Sequence, residues 1–158
     1  MVRTESPICD FNLPAIEFEL KGVDGKLYDL NSLKGSNGLL VMFICNHCPY
    51  VKSIIDQIIL DTKELSELGI NSVGIMSNDP NEYEEDSFEN MKKISSDLNF
   101  PFPYLIDETQ EVAKAFGAVC TPDFFGYNKT LGLQYRRILK ESRQESVDGA
   151  KSTLFEAM

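Results

Sequence analysis

Cys45-Asn46-His47-Cys48-Pro49 brings together two thiols, two residues apart, with the only histidine of the chain between them. That spacing lets the sulfurs close a small disulfide within one helical turn. The motif follows the apolar run Leu39-Leu40-Val41-Met42-Phe43-Ile44-Cys45 and precedes Val51, Ile54, Ile55 and Ile58, so a buried strand gives way to a helix where the thiols stand. A sulfur at a helix N-terminus feels the partial positive charge of unpaired N–H groups, which favours thiolate and makes it nucleophilic near neutral pH. His47, as an imidazolium, favours thiolate further. Stabilising the reduced form raises the reduction potential, so this pair is expected to be more oxidising than one with a Gly-Pro insert.

A bare C-x-x-C is also half of a zinc site, but structural zinc takes four ligands, and His47, Cys9 and Cys120 are the only other candidates. No second C-x-x-C and no H-x-x-x-H is present, so dithiol chemistry is the favoured reading, with no metal and no cofactor expected. Cys120-Thr121-Pro122 opens a later apolar strand and suits a cis X-Pro bond in a tight turn. Cys120 is read first as a small buried hydrophobe and second as an auxiliary thiol. Cys9, in the N-terminal arm, is incidental.

The elements that must position these residues alternate along the chain. Ile16 to Leu20 meets Leu27-Tyr28 across Asp24-Gly25, a hairpin signal. The central strand leads into a long helix that Pro49 can open and Gly69 ends. Ile70 to Met76 is a second strand. Glu82, Glu84, Glu85 and Asp86 fit the first turns of a helix carrying Phe88, Met91, Ile94 and Leu98, and read as a solvated face. A short strand Tyr104 to Ile106, a helix Thr109 to Phe116 with Asp107 as its N-cap, strands Pro122 to Tyr127 and Leu133 to Leu139, and a last helix Ser146 to Met158 complete the series. Lys52, one turn after Cys48, is expected to extend into solvent. Asn128-Lys129-Thr130 matches a glycosylation sequon by chance. The fold class is α/β, with helices on both sides of a mixed sheet, in one domain over 1–158.

Composition narrows the classes of function. The 158 residues carry 15 Lys+Arg against 25 Asp+Glu, a formal charge of -10, which repels phosphate backbones and argues against nucleic acid. No apolar run reaches the length of a membrane span and no secretory signal opens the chain, so a cytoplasmic location away from membranes is expected. None of these features speaks to oligomeric state.

Phe43-Ile44-Cys45-Asn46-His47-Cys48-Pro49-Tyr50-Val51, with Gly117-Ala118-Val119-Cys120-Thr121-Pro122-Asp123-Phe124-Phe125, closely resembles a bacterial group of small thioredoxin-like proteins in the alkyl hydroperoxide reductase and thiol-specific antioxidant (redoxin) superfamily. The likeness runs from Leu13-Pro14-Ala15 to the last residues. It implies a thioredoxin fold with an N-terminal hairpin and an added strand-helix segment ahead of a cis-proline at Pro122. It further implies thiol-disulfide oxidoreductase activity, with Cys45 attacking, Cys48 resolving, and the Thr121 backbone beside Pro122 receiving a peptide or thiol substrate. Substrates would be protein or low-molecular-weight disulfides, and an upstream reductant would regenerate the pair.

The sequence also departs from the pattern. Peroxiredoxins carry a Thr three residues before the peroxide-reacting Cys, where Met42 precedes Cys45, and an Arg near the place of Cys120-Thr121-Pro122. Both absences argue against fast peroxide reduction, leaving a peroxidase as the alternative and a soft-metal module as a third reading. Thioredoxins bury an Asp six residues before the first Cys, where this chain has Leu39. Relatives often continue into a Cys-containing tail, so a chain ending at Met158 is expected to be a shortened form.

Overall fold

Leu39, Val41 and Phe43 point to one side of a strand and Leu40 and Met42 to the other, and all five are buried. Alternation sends successive side chains to opposite faces, so this strand needs a layer on each face. The computed structural model, which describes residues 14–46, 49–78, 84–118 and 122–138, supplies both layers. The strands are β1 (Glu19–Gly22), β2 (Leu27–Asp29), β3 (Gly38–Phe43), β4 (Ile70–Met76), β5 (Tyr104–Ile106), β6 (Asp123–Asn128) and β7 (Leu133–Ile138). They form one mixed sheet in the order β2-β1-β5-β4-β3-β6-β7. β3, β4 and β5 run parallel, β6 lies antiparallel to β3, and the β1-β2 hairpin closes on β5.

The helices are α1 (Leu30–Leu33), α2 (Pro49–Glu67), α3 (Phe88–Asp97) and α4 (Glu111–Phe116). Val51, Ile54, Ile58 and Leu65 of α2 and Met91 of α3 pack on the face of Leu40 and Met42. Leu30 and Leu33 of α1 and Phe116 of α4 cover the other face with Leu39, Val41 and Phe43. The arrangement is the α/β thioredoxin fold. Between α2 and Pro122 lie two strand-helix units, β4-α3 and β5-α4, which include the added segment.

Local chemistry sets most boundaries. In the hairpin, Asp24 accepts from the Lys26 N–H at 3.0 Å and from the Tyr28 hydroxyl at 2.5 Å, so the turn is held by its own acid. Its first strand begins at Glu19, later than the alternation from Ile16 suggests. Pro49 opens α2 as expected. Past its end, Gly69 adopts a φ of 83°, which an L side chain rarely takes. There the Asn37 amide donates to the Leu68 carbonyl at 2.6 Å and the Asn37 N–H to the Gly69 carbonyl at 2.8 Å.

One element has no counterpart in the sequence reading, and other expectations need correction. The helix α1 is too short to show periodicity, and it forms because Asp29 and Ser32 cap it reciprocally. The acidic run does not open α3. Glu84–Asp86 form a separate 3-10 turn, and Ser87 caps α3 by accepting from the Asn90 N–H at 3.2 Å. Nor is that run a uniformly solvated face, since Asp86 is wholly buried. Asp107 does serve the start of α4, accepting from the Ala113 N–H at 2.9 Å, but the cap position itself is Gln110 in a left-handed conformation. The expected last helix lies outside the described residues, as do Glu82 and Cys9. Among the described residues no helix is long and apolar enough to cross a membrane.

Candidate redox site

The three parallel strands β3, β4 and β5 end at one edge of the sheet, at Phe43, Met76 and Ile106. In open α/β sheets this carboxyl edge is where loops converge and sites form. Here the residues just beyond the strands are Cys45 and Asn46, Ser77 and Asn78, and Asp107. Pro122 joins them from the antiparallel side, because Asp123 pairs with Phe43 and so sets Pro122 at the end of β3 from which Cys45 emerges. The sheet register therefore brings Cys45 and Pro122, far apart in sequence, to one place. Both are buried. His47, Cys48, Cys120 and Thr121 lie outside the described residues.

Cys45 is 2 % exposed and belongs to the core cluster that α2 and α3 build over the sheet. It stands four residues before Pro49, and the first turn of α2 carries no acidic side chain to neutralise the positive helix end. Strand β3 thus delivers the thiol to the favourable end of a 19-residue helix.

Asn46 fixes the loop that leaves Cys45. Its backbone N–H donates to Asp86 Oδ1 at 2.7 Å, its Nδ2 donates to the Glu85 carbonyl at 2.8 Å, and its Oδ1 accepts from the Tyr104 hydroxyl at 2.8 Å. The 3-10 turn and β5 therefore hold the residue that follows Cys45. Asn78, at the end of β4, donates from Nδ2 to Asp86 Oδ2 at 3.0 Å. Burial, and then the charges of Cys45 and Asp86 close by, hold the Tyr104 proton well above the ordinary tyrosine range. Tyr104 therefore keeps its proton, and its donation to Asn46, at neutral pH.

Lys52 is exposed, as expected, and also reaches Glu85 Oε2 at 3.0 Å, an ion pair between the first turns of α2 and the 3-10 turn. A shallow cleft of about 250 Å³ opens there, lined by Asn46, Lys52, Glu85, Asn90, Lys93 and Asp97. Sequence reasoning singled out Cys45 and Pro122 but gave no role at the site to Asn46, Asn78, Asp86 or Tyr104. Asn46 lay in plain view inside the motif. Asp86 and Tyr104 reach it from distant stretches, with Asn78 bonded to Asp86 behind it, and no local spacing signals that.

The profile of the AhpC/TSA family matches residues 12–142. Among solved structures, an uncharacterized conserved protein from Geobacillus kaustophilus is 41 % identical with a TM-score of 0.84, over 99 % of this chain and 87 % of that one. A thiol:disulfide interchange protein of the thioredoxin family from Chlorobium tepidum shares the fold at 21 % identity and a TM-score of 0.70, over 91 % of this chain and 92 % of that one. Peroxidoxin BcpB from Mycobacterium tuberculosis does so at 17 % and 0.72, over 96 % and 99 %. No curated protein sequence matches. With the family profile spanning most of its length, the chain belongs to the AhpC/TSA family of the thioredoxin-like, or redoxin, oxidoreductase superfamily.

Proposed function

We propose that this protein is a thiol-disulfide oxidoreductase working through the Cys45-Cys48 pair in the cytoplasm. The observation that carries the reading is the placement of Cys45, at the carboxyl end of β3, ahead of α2 and beside Pro122. The Cys45 thiolate attacks one sulfur of a disulfide, forming a mixed disulfide and expelling the other sulfur as a thiolate, which takes up a proton. The Cys48 thiolate then attacks Cys45, closing the intramolecular disulfide and releasing the second substrate thiolate. Two electrons pass from the pair to the substrate. His47 favours thiolate, and the Thr121 backbone with Pro122 receives the substrate, a protein or low-molecular-weight disulfide. Cys120 is first a small hydrophobe and only second an auxiliary thiol. An upstream dithiol reductant restores the pair.

Likeness to a thiol:disulfide interchange protein supports this reading, and likeness to a peroxidoxin supports a thiol-dependent peroxidase as the second. Met42 weighs against the second, because it is a wholly buried apolar side chain where peroxidases of this superfamily carry Thr. Equilibration with glutathione buffers, read by mass spectrometry with Cys45→Ser and Cys48→Ser as controls, separates the readings. A reversible two-electron transition that needs both cysteines is expected. Absence of that disulfide in every buffer, with rapid sulfenic acid formation by peroxide, would establish the peroxidase instead.

A further inference from the structure

Asp86 is a fully buried acid whose oxygens face the redox loop. Oδ1 accepts from the N–H of Asn46, the residue that follows Cys45, and Oδ2 accepts from Asn78. Exposed Lys52 is committed to exposed Glu85 on the same turn. Among the described residues, the groups facing this locus are Tyr104 from β5, the Lys52-Glu85 pair from α2 and the 3-10 turn, and the N-terminus of α2. Tyr104 feels the charges of both Cys45 and Asp86, so the thiol and the carboxylate share one poorly solvated neighbourhood around Asn46.

Like charges in such a place disfavour the second ionisation. The geometry points to Asp86 as a positioning residue of the redox centre, whose charge opposes the α2 N-terminus and keeps the Cys45 thiol protonated to higher pH. Destabilising the thiolate destabilises the reduced pair, so Asp86 also makes the pair more reducing than its C-x-x-C loop alone would be. That second effect rests on the thiol-disulfide reading above. Oxidation of the pair still removes two electrons and two thiol protons and forms one S–S bond. Asp86 changes only the pH at which the reduced pair gives up its proton. The Asn46 bond does the positioning, and the charge sets the acidity.

The test uses the full chain in a Cys48→Ser background, with alkylation of Cys45 by iodoacetamide followed peptide by peptide against pH. Asp86→Asn and Asp86→Ser each remove the charge while offering Asn46 an oxygen, and circular dichroism identifies which of them is folded. In a folded variant the Cys45 profile is expected to move to lower pH, with at least about threefold faster alkylation below the parent midpoint. With Cys48 restored, the equilibrium with glutathione is expected to shift by about threefold or more toward the dithiol. Asn78→Ala loosens the same turn but keeps the charge, and is expected not to reproduce the acid shift. An unmoved or alkaline-shifted profile in a folded neutral variant, or an equal acid shift in Asn78→Ala, overturns the proposal. If the parent forms no Cys45-Cys48 disulfide, the thiol-disulfide reading fails separately, and the alkylation profile still decides the role of Asp86.

Discussion

The Tyr104 hydroxyl donates to Asn46 Oδ1 at 2.8 Å, joining the end of β3 to the start of β5 across 58 positions of sequence. Both residues are buried, so neither group can turn to water if its partner is lost. Tyr104→Phe is expected to cost about 1–3 kcal/mol, because it strands the Asn46 oxygen without its donor. Chemical denaturation at neutral pH measures this.

The same residue sets an alkaline limit. Its pKa in the folded protein lies well above the ordinary tyrosine value of about 10, chiefly through burial. The unfolded chain therefore releases this proton first as pH rises, and binds fewer protons than the folded chain. Stability from this group is complete below pH 10 and declines above it, by about 1.4 kcal/mol per pH unit, until the folded hydroxyl ionises as well. Comparing the pH dependence of unfolding in the parent and in Tyr104→Phe, which should lack one proton's worth of that slope, checks the sign and the residue together.

Asn46→Ala removes both side-chain bonds of the motif loop while keeping its backbone bond to Asp86. A double-mutant cycle with Tyr104→Phe is expected to be non-additive by about 0.5–1.5 kcal/mol, since each change removes the same bond. Additive effects would mean that the bond adds nothing to stability.

Lys52→Ala breaks the ion pair with Glu85, but both side chains are more than half exposed, at 52 % and 65 %. The expected loss is below about 1 kcal/mol, and smaller still in high salt. A thermal melt at two ionic strengths is sufficient.

Gly69 requires its residue type. Its φ is 83°, and a Cβ there would lie 2.5 Å from Ser36 Oγ and 2.7 Å from Asn37 Nδ2, the group that donates to Leu68. Gly69→Ala is expected to cost about 1–3 kcal/mol from backbone strain and the displaced amide. The readout is the denaturation midpoint.

What could be read in advance follows from the range of the interactions. β3 was legible because six consecutive buried residues leave an unbroken apolar run, and β5 because Pro101 and Pro103 isolate Tyr104–Ile106. The hairpin was legible in Asp24-Gly25, whose bonds are all local. Cys45 and Pro122 were legible as motifs, and the sheet register brings them together. Asp86 was not legible. In sequence it is the fourth acid of a charged run, and its burial depends on Asn46 and Asn78, residues that only the folded sheet brings to it. The helix α1 escaped for the opposite reason, since four residues held by one capping box are too local for any periodicity.

The partners of Asn46 lie 39, 40 and 58 positions further along the chain, at Glu85, Asp86 and Tyr104. Contacts of that separation pay a loop-closure cost that the adjacent turns of α2 do not. On the ribosome, where the N-terminal part emerges first, β3 and α2 exist as chain before any anchor of the thiol loop has been made. Ordering of the loop around Cys45 is therefore a late event in folding: an emerging polypeptide presents an ordinary, loosely held Cys45 thiol, and the loop takes shape only when synthesis has passed Tyr104 and β5 has docked.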